Sequence, residues 1–153
     1  MIKLLRVDHR LLHGQVAVSW FNSLDVDTIF VVNDAVSSDE FRKSAIRLAK
    51  PKNAKLVMKS VADAVEALNS GITDKYKMLV VVESVADAKV LIDKTNNITS
   101  LNLGGTKKRE GTKNYAAAVN LTAEEVSKLQ ELTKKGVDVF IQQVPSEKKQ
   151  TFK

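Results

Sequence analysis

Residues 6–16 read RVDHRLLHGQV and bring two arginines, an aspartate, two histidines and a glycine together within one short stretch. An imidazole of ordinary pKa, about 6.5, is largely neutral near pH 7 and carries a free lone pair on one ring nitrogen. Such a nitrogen can accept a phosphoryl group and later pass it on. Arg10 adds a planar, permanently charged fork that suits phosphoryl oxygens. Asp8 would repel phosphate directly, which assigns it to orienting Arg10 or the loop backbone. Gly14, next to His13, leaves room for close approach of a partner. Arg6 is open between the two faces of a sheet, because strand alternation could turn it either way. His9 and His13 are the chain's only histidines. As an i,i+4 metal pair they would need a helix beneath them and further ligands nearby, and the sequence offers neither.

The elements around this stretch position His13. Ile2, Lys3, Leu4, Leu5 and Val7 read as a short buried strand, and Val16, Trp20 and Leu24 recur at fourfold spacing as one face of a helix. His13 thus falls in a strand-to-helix loop, beside unpaired backbone N–H groups and a positive dipole end that favour phosphate. His9 lies nearer the strand end and is flanked by Asp8, so position selects His13 as the acceptor. Trp20 is read as core.

Apolar runs alternate with helical patterns along the rest of the chain. Strands are expected at 28–32, 55–58, 78–82, 98–103 and 137–141, with a short one at 115–119. Ser37-x-x-Glu40 and Thr122-x-x-Glu125 read as capping boxes, the first opening a helix through Leu48. Ser60 and Ser84 open two helices with the same five residues, SVADA, as two helix starts solving one capping problem would. Continuous β-branched runs indicate strands buried on both faces. The fold expected is therefore α/β: a single domain over 1–153 with a mostly parallel, open β-sheet and helices on both faces. Ligands of such sheets bind beyond the carboxyl ends of the strands. Those ends carry His13, Asn33-Asp34, Glu83-Ser84 and Gly104-Gly105. Asn33 and Asp34 either line the site or form a turn. Lys107-Lys108-Arg109 is either a solvated loop or a docking patch, and the basic tail 147–153 either frays or packs.

The run from Arg6 resembles the phosphorylation-site loop of IIB subunits in the mannose/fructose/sorbose family of the bacterial sugar phosphotransferase system (PTS). That loop reads R-x-D-x-R-L-x-H-G-Q-V, matched here by Arg6, Asp8, Arg10, Leu11, His13, Gly14, Gln15 and Val16. The likeness continues through Trp20, Asn33-Asp34, Pro51, Asn102-x-Gly104-Gly105 and Val144-Pro145. It departs at His9, where the family often has Asp or Asn, and near Asn53, where glycine is common. The resemblance implies a protein-Nπ-phosphohistidine–sugar phosphotransferase. A phosphohistidine of a IIA protein or domain would be the donor, and a δ-nitrogen phosphohistidine at His13 the intermediate. The acceptor would be a mannose, fructose, sorbose or amino-sugar type substrate held by membrane IIC and IID subunits. Arg10 and Asp8 would be the catalytic companions of His13. Gly14, Gln15, Arg6, Asn33, Asp34, Gly104 and Gly105 would line the site. No metal, nucleotide or other cofactor is implied, since the energy resides in the phosphoramidate bond.

Composition narrows the alternatives. The absence of cysteine excludes disulfides, thiolate metal sites and a phosphocysteine carrier. The start, Met1-Ile2-Lys3 leading into a strand, is not the pattern of a secretory signal, and no apolar run approaches a membrane span, so a cytoplasmic protein is expected. The net charge of +6 is spread along the chain, without a recognition-helix motif or an aromatic stacking platform. An acidic or phosphorylated protein partner explains the charge equally well. A ligand- or nucleotide-binding module would need G-x-G-x-x-G or G-x-x-x-x-G-K-[ST], and neither occurs.

Overall fold

A computed structural model of the protein describes residues 1–152. The apolar run Ile2–Asp8 forms β1, followed by helix α1 (Gly14–Leu24) and β2 (Thr28–Val32). Two helices come next, α2 (Asp34–Ser37) and α3 (Glu40–Ala49), before β3 (Lys55–Lys59) and α4 (Val61–Ser70). The chain continues as β4 (Met78–Val82), α5 (Val85–Lys94) and β5 (Ser100–Gly105). A hairpin of β6 (Lys113–Ala116) and β7 (Val119–Leu121) then leads into α6 (Ala123–Lys134), β8 (Asp138–Ile141) and β9 (Gln150–Thr151).

The helix starts are set by local capping. Ser60 and Ser84 each accept a hydrogen bond from the backbone N–H of the aspartate three residues on, and Thr122 with Glu125 makes the reciprocal capping box. The expected Ser37–Glu40 box is corrected. Asn33 opens α2 by accepting from the Val36 N–H, Ser37 closes it by donating to the Asp34 carbonyl, and Asp39 caps α3 through the Arg42 N–H. Two short-range caps compete here, and Asn33 starts helical turn one residue beyond the strand. The expected strand at 115–119 is likewise corrected to the β6–β7 hairpin. Near Pro51, Asn53 adopts φ +77°. Asparagine tolerates that left-handed conformation, so the turn forms here.

The main sheet runs β3-β2-β4-β1-β5-β8-β9, parallel throughout except for the antiparallel β8–β9 pair. Alternate strand residues feed two cores. Leu5, Val7, Phe30, Val80 and Leu103 pack against α4, α5 and α6, while Leu4, Ile29, Val31, Leu79 and Phe140 pack with α1 and α3. The sheet is therefore covered on both faces, as its unbroken apolar strands require. The tail packs rather than frays: Gln150–Thr151 pairs with β8, and Phe152 is buried beside Tyr115. Lys153 lies outside the described residues.

Strand order fixes where chemistry can sit. From β1 the chain moves to β2 over one face, whereas β4 and β5 send their connections over the other toward β8. The carboxyl end of β1 thus stands at the reversal of winding, where an open α/β sheet leaves a crevice.

Candidate functional site

The loop leaving β1 is short and strained. The Leu11 N–H donates to the Asp8 carbonyl at 2.8 Å, closing a turn over His9 and Arg10. Leu11 itself adopts φ +59°, a conformation that costs an aliphatic residue energy and persists only when the surroundings hold it. They do: Leu11 and Leu12 are both buried in the core under α1. These two side chains pin the loop and leave its polar residues outside. His13 is the N-cap of α1 in extended conformation and is exposed, and its imidazole makes no capping hydrogen bond. Gly14 follows at φ +34°, which glycine adopts at little cost. Gln15 is exposed in the first helical turn.

Beneath the loop lies a buried charge network centred on Asp8. Its Oδ2 accepts from Arg6 Nη2 at 3.1 Å and Arg10 Nη2 at 3.4 Å. Its Oδ1 accepts from the Arg10 backbone N–H at 3.0 Å and Arg10 Nε at 3.3 Å. A fully buried carboxylate is tolerable only with such partners. Arg6, 2% exposed, also donates from Nη1 to the Asn102 side-chain oxygen at 2.6 Å and to the Gln142 carbonyl at 3.2 Å. Its guanidinium carbon lies 5.4 Å from the Trp20 ring centroid. Burial pulls the Arg6 guanidinium below its ordinary pKa, and the Asp8 carboxylate opposes that pull. Gly104 is the reason the side chain fits: a Cβ there would land inside the guanidinium. Gly105 pairs with Asp8 across the sheet, and its carbonyl accepts the His9 N–H at 3.0 Å.

The structure therefore joins Arg6, Asp8, Arg10, Gly104 and Gly105 in one assembly under the loop that carries His13 and Gly14. It corrects the reading of Arg6 as a residue lining a phosphate, since the side chain is enclosed below the surface. Asn33 and Asp34 do not join this network. Asn33 caps α2, and the Asp34 carboxylate accepts the Val61 N–H at 2.8 Å, helping to start α4. Arg109 pairs with Glu125. Trp20 is core, as expected, and its indole N–H also donates to the Gln143 carbonyl at 2.9 Å. Sequence reasoning missed Asn102 and the Gln142 carbonyl as partners of Arg6, and Leu11 and Leu12 as loop anchors. The available signal was a polar residue, Asn102, inside an apolar strand two positions before the glycine pair.

Comparison with known proteins places this chain in a family. The family model described as the PTS system sorbose subfamily IIB component matches residues 2–153. The chain is 29% identical over 151 residues to the PTS system fructose-specific EIIB component of Bacillus subtilis (strain 168), covering 99% of this chain and 93% of that protein. It is 28% identical to the PTS system mannose-specific EIIAB component of Escherichia coli (strain K12), spanning 97% of this chain and 46% of that longer protein. Among solved structures, the IIBSor domain of the sorbose permease from Klebsiella pneumoniae superimposes with a TM-score of 0.91 at 30% identity, over 97% of this chain and 91% of that one. The chain belongs to the sorbose subfamily of PTS IIB components. Its role is that of a phosphocarrier in sugar transport, which sets aside the ligand- or nucleotide-binding alternative.

Proposed function

We propose that His13 is the residue that carries the phosphoryl group, received from a phosphohistidine of a IIA protein and delivered to a sugar held by membrane IIC and IID subunits. The observation that carries this reading is the exposed imidazole at the N-cap of α1, unused for capping and next to a glycine at φ +34°. In the first transfer a His13 nitrogen, the δ nitrogen in the family pattern, attacks phosphorus in line. The donor's N–P bond breaks, its imidazole keeps the electron pair, and a new N–P bond forms on His13. In the second, a sugar hydroxyl oxygen attacks the same phosphorus, the His13–phosphorus bond breaks, and the hydroxyl proton passes to the released imidazole or solvent. Both steps are largely positioning and charge stabilisation around a loose transition state.

Arg10 is the group suited to stabilising the transferring oxygens, because Asp8 grips its Nε and Nη2 while its side chain stays about one-third exposed. Asp8 is a positioning residue, and Arg6 acts one layer deeper by holding Asp8. The backbone N–H groups of Gly14 and Gln15 at the helix start complement a dianionic phosphohistidine. Among the described residues no helix is long and apolar enough to cross a membrane. A cytoplasmic protein that meets the inner membrane face only through IIC and IID fits this. Relatives named for fructose and mannose are similar in sequence, and solved neighbours named for sorbose and N-acetyl-galactosamine are similar in fold, which supports a sugar of the mannose, fructose, sorbose or amino-sugar class.

The test is phosphorylation of wild type, His13→Ala and His9→Ala by a phosphorylated IIA donor, with the label located by mass spectrometry. One acid-labile, alkali-stable group per chain is expected on His13. His13→Ala should fold and take up none, whereas His9→Ala should retain most transfer. A label on His9 overturns the assignment.

A further inference from the structure

Helix α3 presents an outward stripe that the core does not use. Phe41 is 84% exposed and Leu48 is 89% exposed, and Ala45 between them is exposed as well. Positions i, i+4 and i+7 lie on one face of a helix, so Phe41 and Leu48 stand about 10 Å apart along the axis. Arg42 and Arg47 fall on either flank of that stripe at 100° per residue. The surroundings are strongly basic. Residues 40–55 hold six lysines and arginines and one glutamate, a net +5 against +6 for the whole chain.

The stripe is continuous with the phosphorylation loop. A pocket of about 180 Å³ is lined by Arg10, Leu11 and Leu12 of the loop together with Arg42, Ala45 and Ile46 of α3. A body seated on α3 therefore abuts the residues that support His13. Two exposed apolar anchors at i and i+7 with cationic flanks are the pattern of a helix that docks in an apolar groove with an acidic rim. The donor is the partner whose chemistry matches, because it arrives carrying an anionic phosphohistidine, whereas the acceptor sugar is neutral.

We infer that the α3 stripe Phe41–Ala45–Leu48, flanked by Arg42 and Arg47, is the docking surface for the phosphorylated donor protein. The inference rests on the carrier reading of His13 and names the surface through which that residue is reached. The stripe supplies short-range affinity, and the basic flanks speed encounter.

The experiment compares wild type with Phe41→Ser/Leu48→Ser and with Arg42→Glu/Arg47→Glu. Each is phosphorylated by a purified phosphorylated IIA protein and, separately, by the small donor phosphoramidate, which needs no docking. The apolar pair is expected to raise KM for the protein donor at least about tenfold, with kcat within about twofold. Its labelling by phosphoramidate should match wild type. Charge reversal should slow association and flatten its dependence on salt. An unchanged KM in the apolar pair, with His13 still labelled by both donors, overturns the docking surface alone. Failure of wild type to take label on His13 from either donor overturns the carrier reading, and the docking surface with it. Loss of binding to anionic phosphatidylglycerol vesicles in the apolar pair, with KM for the protein donor unchanged, would make α3 a membrane contact and overturn the proposal.

Discussion

Replacing Asp8 with Asn keeps the side chain's shape and removes its charge, which isolates what the buried carboxylate contributes. Asp8 is 0% and Arg6 2% exposed, so the substitution leaves the Arg6 guanidinium enclosed without its counter-charge. Breaking a buried ion pair from one side costs about 3–5 kcal/mol. The asparagine oxygen can still accept one hydrogen bond, and Arg6 keeps Asn102 and the Gln142 carbonyl, so the lower end, about 3 kcal/mol, is expected here. For a chain of this size that lowers Tm by about 6–12 °C. Urea unfolding at pH 7 measures the stability, and rapid-quench phosphorylation by a IIA donor measures transfer. Arg10 binds one Asp8 oxygen through Nε and the other through Nη2, so the amide group removes one of the two contacts that aim it, and transfer should fall at least about tenfold even in the folded fraction. Removing the stranded cation as well, in Arg6→Met/Asp8→Asn, should recover about 1–2 kcal/mol of stability but no transfer. A stability loss under about 1 kcal/mol would refute the network as an energetic unit. A full loss of stability with wild-type transfer would refute Asp8 as a positioning residue.

Arg10→Lys preserves charge but cannot span both Asp8 oxygens, so phosphoryl transfer should slow at least about a hundredfold while Tm moves little; wild-type single-turnover rates would contradict its role. Gly104→Ala drives a methyl into the Arg6 guanidinium and should cost about 1–3 kcal/mol in urea unfolding. Gly105→Ala, whose Cβ would meet Asp8 Oδ1 at an ordinary 3.4 Å, should cost less than about 1 kcal/mol, and equal losses would dismiss the steric explanation. The Asp87 carboxyl is raised above its usual pKa, first by burial and then by the nearby Asp34 and Glu83 charges, against a lowering hydrogen bond with Ser84. A raised folded-state pKa means that the ionised carboxylate costs stability at neutral pH, and that the cost disappears as pH falls toward the unfolded value of about 3.9. Asp87→Asn should therefore raise Tm at pH 7 and give no advantage below about pH 4; a gain independent of pH would point to packing instead.

Much of this protein is written in short-range sequence. The caps at Ser60, Ser84 and Thr122 could be placed from sequence because each spans three residues and needs only the right hydroxyl before a helical run. The unbroken apolar strands announced a parallel sheet covered on both faces, and the loop from Arg6 to Val16 announced phosphoryl chemistry. The start of α3 was less legible, because Ser37 and Asp39 both satisfy a local capping rule and Asn33 settles the choice by starting α2 first. Where Arg6 points was a tertiary decision. Alternation along β1 allows two faces, and the choice is made by partners 96 and 136 residues away, Asn102 and the Gln142 carbonyl, with a gap above Gly104 that only the paired strands create. The left-handed Leu11 is of the same kind: nothing local favours it, and it is held by burial of Leu11 and Leu12 against elements that come together only in the folded sheet. Sequence thus determined which groups could do the chemistry, because reactivity belongs to residue type. Only the tertiary structure decided which of them face the partner and which lie beneath, because burial is a property of the assembled fold.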